Sequence, residues 1–126
     1  MDRSRSSLSE QDVTALDARR RELHVAWFVG YRKGDVDPYL DEVREAVRSR
    51  IRENEGLRAG SPVPDSRTDG ERVTPFDVQA REFGIARFLG GYRMREIDEY
   101  LDDATDMLAR LDAENEALRG SSERRR

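Results

Sequence analysis

The side chains that could do covalent chemistry in this chain are few and poorly grouped. His24 is the single histidine and there is no cysteine. Disulfides, thiolate zinc sites and cysteine nucleophiles are therefore excluded. His24 also lacks the spaced partners of a metal site and the neighbours of a nucleophile motif, so it reads as structural or merely exposed. Two acidic groups, Asp35, Asp37 and Asp41 and then Asp98, Glu99, Asp102 and Asp103, could suggest a hard cation. No glycine-punctuated calcium loop accompanies them, and acidic first turns complement a helix dipole, so they read as solvated helix faces. Gly90-Gly91 lack the spacing of a phosphate-binding fingerprint and the strand that should precede one. The expectation is a protein with no catalytic residue, no metal and no cofactor.

What remains is non-covalent. Ala26-Trp27-Phe28-Val29 and Ala86-Arg87-Phe88-Leu89 are short apolar clusters. They run into Gly30 and Gly90-Gly91, where the chain can reverse direction. Turn tips are normally polar, so each cluster either packs inward as a small core that seals one end of the molecule or is meant to touch something.

The elements that position these clusters are repeated. From Gly30 to Arg58 and from Gly91 to Arg119 the chain has twelve identities in twenty-nine ungapped positions, where composition alone gives roughly two. Each copy starts with a Gly-Tyr turn, enters an acidic helix start, and ends on Glu53-Asn54-Glu55 or Glu114-Asn115-Glu116. Ahead of each lies a capped short helix. In copy one Ser9 is the cap and the helix runs to Leu23; in copy two Thr74 is the cap, with Pro75 at the first helical position and Asp77 near the positive dipole end. Copy one carries about one extra helical turn between cap and Gly-Tyr.

After the turns, apolar residues alternate in steps of four and three, which is a heptad seam. Its residues are Val36, Leu40, Val43, Val47, Asn54 and Leu57 in copy one, and Ile97, Leu101, Ala104, Leu108, Leu111, Asn115 and Leu118 in copy two. Asn54 and Asn115 both fall at position a, where asparagines pair across a parallel dimer and fix its register. The spacing thus predicts that the two long helices lie side by side in parallel. Arg50 at position d is a flaw in the seam, and Asp37, just before Pro38, is the expected cap of the first long helix. Residues 59–72 form a linker whose fourteen residues reach roughly 45–50 Å, enough to return along a helix of about 32 Å.

Bulk properties agree with an all-α protein of exposed helices with one apolar stripe each: charged residues make up 40% against 36% hydrophobic, and mean hydropathy is -0.91. No stretch of about eighteen apolar residues is present. The net charge of -4 argues against nucleic-acid binding through Arg19-Arg20-Arg21 or Arg124-Arg125-Arg126.

Val73-Thr74-Pro75-Phe76-Asp77-Val78, then Phe83, Gly91-Tyr92 and Glu96-Ile97-Asp98-Glu99-Tyr100-Leu101 together resemble the amino-terminal domain of the DivIVA family. Copy one resembles it more loosely, through Leu8-Ser9-Glu10-Gln11-Asp12-Val13, Gly30-Tyr31 and Asp35-Val36-Asp37-Pro38-Tyr39-Leu40. The resemblance implies a bacterial scaffold that binds the inner face of the cytoplasmic membrane, dimerises as a parallel coiled coil, gathers at poles or septa and recruits division or wall-growth proteins. In that family a Phe-Arg pair at the tip of crossed loops enters lipid. Phe28 stands at the Phe position, with Val29 in place of the Arg, and copy two has Leu89-Gly90 there. The implied membrane contacts are Trp27, Phe28, Val29, Arg32, Arg87, Phe88, Leu89 and Arg93, with Lys33 and Arg95 also near enough to supply charge. The family's longer second coiled coil has no counterpart after Leu118.

The expected organisation is a disordered 1–7, repeat one at 8–58, a linker at 59–72, repeat two at 73–119 and a mobile tail at 120–126. The two repeats are expected to pair as an intramolecular pseudo-dimer. The expected function is a non-enzymatic, cytoplasmic, peripheral membrane scaffold or adaptor, with a lipid surface, a coiled-coil protein of DivIVA type and self-association as candidate partners. The alternative is a soluble module that pairs through its heptad stripes with a longer helical partner, without touching lipid.

Overall fold

The computed structural model describes residues 8–61 and 73–124, with side chains as far as Ser121. The disorder expected for 1–7, most of the linker and the last two residues lie outside that range. The elements are α1 (Glu10–Arg21), β1 (Val29–Arg32), α2 (Lys33–Arg58), α3 (Pro75–Ala80), β2 (Ile85–Arg87), β3 (Gly91–Tyr92) and α4 (Met94–Arg124).

Both short helices start where their caps predict. Ser9 and Thr74 each take part in a full capping box, with Asp12 and Asp77 reaching back to the cap nitrogens at 2.7 and 3.1 Å. These boxes satisfy amide groups that have no partner inside the helix. α1 stops at Arg21 rather than Leu23, and α3 is only six residues long. α2 starts earlier than expected: Arg32 is its cap, so Asp37 is not, and Pro38 sits inside the helix. The proline forgoes one bond near the helix start, where few are lost. α4 continues to Arg124, five residues past the expected end of repeat two.

α2 and α4 pack along their length with the seam between them. Val36, Leu40, Val43, Val47, Ile97, Leu101, Ala104, Leu108 and Leu111 are buried, as are Asn54 and Asn115; Leu57 and Leu118, at the far end, are half-buried. Asn54 Nδ2 donates to Asn115 Oδ1 at 2.9 Å. Around it, Arg58 bonds Glu114 (3.2 Å) and Arg119 bonds Glu53 (2.8 Å), a reciprocal pair. At the opposite end Tyr31 Oη donates to Asp98 (3.0 Å) and Tyr92 Oη to Asp37 (2.7 Å), again reciprocally. Contacts that match at both ends require the helices to run in the same direction. Arg50 does not break the seam: it is 1% exposed and its Nε donates to Asp112 at 2.7 Å, while Ile51 beside it is fully buried.

α1 lies over this pair, held by Val13 and Leu16 in the core and by Arg20–Asp41, Arg19–Asp103, Arg44–Asp17 and Arg48–Glu10 ion pairs at its margin. Such exposed pairs contribute little each, about 0–1 kcal/mol, so the apolar contacts carry the packing. Tyr39 and Tyr100 are buried at repeat-related positions, and neither hydroxyl has a hydrogen-bond partner among the described residues.

The protein is mostly helical, but not purely so. The segments read as Gly-Tyr turns form a three-stranded sheet in the order β2-β1-β3, all antiparallel. A strand therefore does precede Gly90-Gly91, against expectation, although the fingerprint spacing is still lacking. The strands are two to four residues long and pair residues from distant parts of the chain: Gly30 with Ala86, and Tyr31 with Tyr92. They form because two loops cross at the glycines. A Cβ on Gly30 would lie 2.3 Å from the Tyr92 carbonyl oxygen, and one on Gly91 2.5 Å from that of Tyr31. Only glycine permits backbones this close.

Candidate functional site: an apolar tip on crossed loops

The loops are latched at their base by the acidic residues that open the long helices. The Gly84 amide donates to Asp35 at 2.8 Å, and the His24 amide to Glu96 at 2.7 Å. Backbone bonds repeat the symmetry, with Arg32 N donating to Gly84 O (2.8 Å) and Arg93 N to His24 O (3.0 Å). His24 and Gly84 are thus equivalent, sixty residues apart, whereas the helices are related by sixty-one. Gly90 is the extra residue. His24 is no bystander: its Nδ1 also meets Glu96 at 2.8 Å. Burial opposes ionisation of Glu96, but the His24 amide and ring, with Arg93 nearby, more than offset it and hold the carboxyl below its ordinary value.

Beyond these latches the loops turn apolar side chains outward. Trp27 is 68% exposed, Phe28 69%, Phe88 74% and Leu89 53%, with Val29 and Ile85 also exposed. The two loops meet there, since Phe88 N donates to Phe28 O at 2.7 Å. Six large apolar residues therefore share one end of the molecule, and the reading in which they seal a small core is overturned: that end is closed instead by the sheet, by Ala26 and by Tyr31 packed on Phe83 at 5.2 Å. Exposed apolar side chains gathered in this way are a common basis for contact with another body.

The tip holds its shape at a cost. Phe88 and Leu89 have φ of 54° and 66°, in the left-handed region, and they are the positive-φ residues other than glycine among the described residues. For a large side chain this costs on the order of 1 kcal/mol or more each. A turn chosen for stability alone would carry Asn or Gly at both positions.

Arg87, Arg32, Arg93 and Arg95 are exposed and Lys33 half-buried. They are used differently. Arg32 donates to the Ile85 carbonyl (3.3 Å), Arg93 lies 3.8 Å from Glu96, and the Lys33 ammonium lies 5.6 Å from the centre of the Tyr92 ring. Both long helices direct their N-terminal, positive dipole ends toward this side. An apolar tip with a basic collar thus sits on the positive end of two parallel dipoles.

Sequence reasoning brought together Trp27, Phe28, Val29, Phe88 and Leu89 at one end. It missed Ile85 and the latching roles of Asp35, Glu96 and His24; the acid recurring at equivalent positions 35 and 96 was the signal that could have found them. Among the described residues no group of metal-binding side chains occurs and no helix is long and apolar enough to cross a membrane. No family model, no curated protein and no solved structure matches the chain.

Proposed function

We propose that the protein is a non-enzymatic peripheral membrane scaffold or adaptor of DivIVA type, acting at the inner face of a bacterial membrane in division or polar growth. In this reading two DivIVA-like repeats pair within one chain as a parallel pseudo-dimer. The reciprocal bonds, in which each pair repeats the other after a shift of sixty-one residues, support that pairing. The observation that carries the membrane reading is the joint exposure of Trp27, Phe28, Phe88 and Leu89 at the crossed loops. Aromatic and aliphatic side chains of this kind partition into the headgroup and acyl boundary, and the basic collar adds attraction to anionic lipid.

The alternative, a soluble module whose heptad stripes await a longer helical partner, is less well supported. The stripes are already occupied by each other, with Val36, Leu40, Val43, Val47, Ile97 and Leu108 all fully buried. A new partner would have to displace that packing.

The test is co-sedimentation with vesicles of phosphatidylglycerol and phosphatidylethanolamine, comparing the wild type with Trp27→Ala/Phe28→Ala and Phe88→Ala/Leu89→Ala, each checked by circular dichroism. Wild-type binding that is lost in folded variants is the expected result. A wild type that stays in the supernatant with every vesicle composition would overturn the membrane reading and return the alternative.

A further inference from the structure

The two seams are not interchangeable, and the difference is concentrated in two adjacent positions. Repeat one has Arg50-Ile51 where repeat two has Leu111-Asp112. The sixty-one-residue relation that faces Asn54 with Asn115 places Arg50 opposite Leu111 and Ile51 opposite Asp112. Across the seam, then, the charged residue and the apolar one have exchanged places. Arg50 is 1% exposed, and each part of its guanidinium is engaged: Nε with Asp112 Oδ1 at 2.7 Å, Nη1 with the Ala46 carbonyl at 3.2 Å, and Nη2 with the Val73 carbonyl at 2.6 Å. Ile51 and Leu111 are fully buried. Two of the three acceptors, Asp112 and Val73, belong to repeat two.

We propose that Arg50 and Asp112 form a partner-selecting lock, by which repeat one accepts a helix of the repeat-two type and rejects a second copy of itself. In a parallel pair of two repeat-one helices, Arg50 would face another Arg50. Ile51 would stand where the carboxylate is. Two guanidiniums would be enclosed by the seam without an anion, which a low-dielectric interior does not tolerate. In a pair of two repeat-two helices, Leu111 would face Leu111 and Asp112 would remain at the margin, so that side carries no equivalent bar. Repeat one therefore enforces the choice, and the kind of partner its seam fits is defined: a parallel helix with an apolar residue opposite Arg50 and an acid one position later. This inference rests on the packing of α2 against α4 and on the Val73 carbonyl, not on the tip, so it survives a failure of the membrane reading.

The test uses the full chain, which has no native cysteine. Leu57→Cys places a thiol near the far end of the repeat-one seam, where a short thiol-reactive crosslinker joins two chains only if repeat one meets repeat one. The protein is refolded at about millimolar concentration, similar to the effective concentration that a short flexible link provides. With Arg50 in place, crosslinked dimer stays at background. With Arg50→Leu added, it rises by about tenfold or more, and with Arg50→Lys it stays low because the buried charge is kept. Circular dichroism confirms folding, and Arg50→Ala takes the place of Arg50→Leu if the latter unfolds. Abundant crosslinked dimer in the Arg50 chain, or no rise when the charge is removed from a folded chain, would overturn the proposal.

Discussion

The seam and the tip are built from the same class of side chain and treat it oppositely. Between α2 and α4, leucines and valines vanish from solvent; at the crossed loops, Trp27, Phe28 and Phe88 stand more than two-thirds exposed. The chain had enough apolar residues to bury more. It left these outside and accepted a left-handed backbone at Phe88 and Leu89 to keep them there. Burial in the seam contributes stability that the exposed tip does not, and substitutions should separate the two.

The largest separation is expected from a matched pair. Leu108→Ala in the seam should cost about 2–5 kcal/mol in urea unfolding. Phe88→Ala at the tip should change stability by no more than about 0.5 kcal/mol while lowering vesicle binding. Equal losses of stability would erase the distinction. A sharper probe is Leu89→Gly, which relieves the positive φ. It should raise stability by about 1 kcal/mol and weaken vesicle binding, the opposite signs expected of a strained contact residue.

The seam was legible in the sequence because a 3.5-residue period is a long-range signal that survives many substitutions. Asn54 and Asn115 mark the register in the sequence itself. The sheet was not legible. Its strands are two to four residues long, rich in glycine, and paired with residues sixty positions away, so no local alternation announces them. Exposure of the tip was equally hidden: a Trp-Phe-Val run states that the residues are apolar, not which side of the backbone they will occupy. Arg50 looked like a defect because a heptad register scores one helix at a time, and its partner Asp112 lies on the other.

Smaller effects test the joints between the two regions. Tyr100→Phe removes a buried hydroxyl that has no partner among the described residues and should leave stability unchanged or raise it by up to about 1 kcal/mol. At the latch, Glu96 titrates below its ordinary 4.5. A depressed carboxyl contributes stability that is complete above the unfolded value and lost as pH falls through the folded one. Acidification from pH 5 downward should therefore loosen the loops, read as a change in Trp27 fluorescence, and Glu96→Gln should flatten that response. At the alkaline end, burial and then the bond to Asp37 push Tyr92 up to about 12. Its share of stability is complete below pH 10 and declines as pH rises toward 12, which Tyr92→Phe should abolish.

Both strand-to-helix junctions are tight. β1 ends at Arg32 and α2 begins at Lys33, while a single residue separates β3 from α4. Neither junction leaves room for a flexible linker between the strand and the helix that follows it. The molecule is a lever with a welded head. Tilting the head by a given angle swings the far end of α4, about 46 Å long, through the same angle.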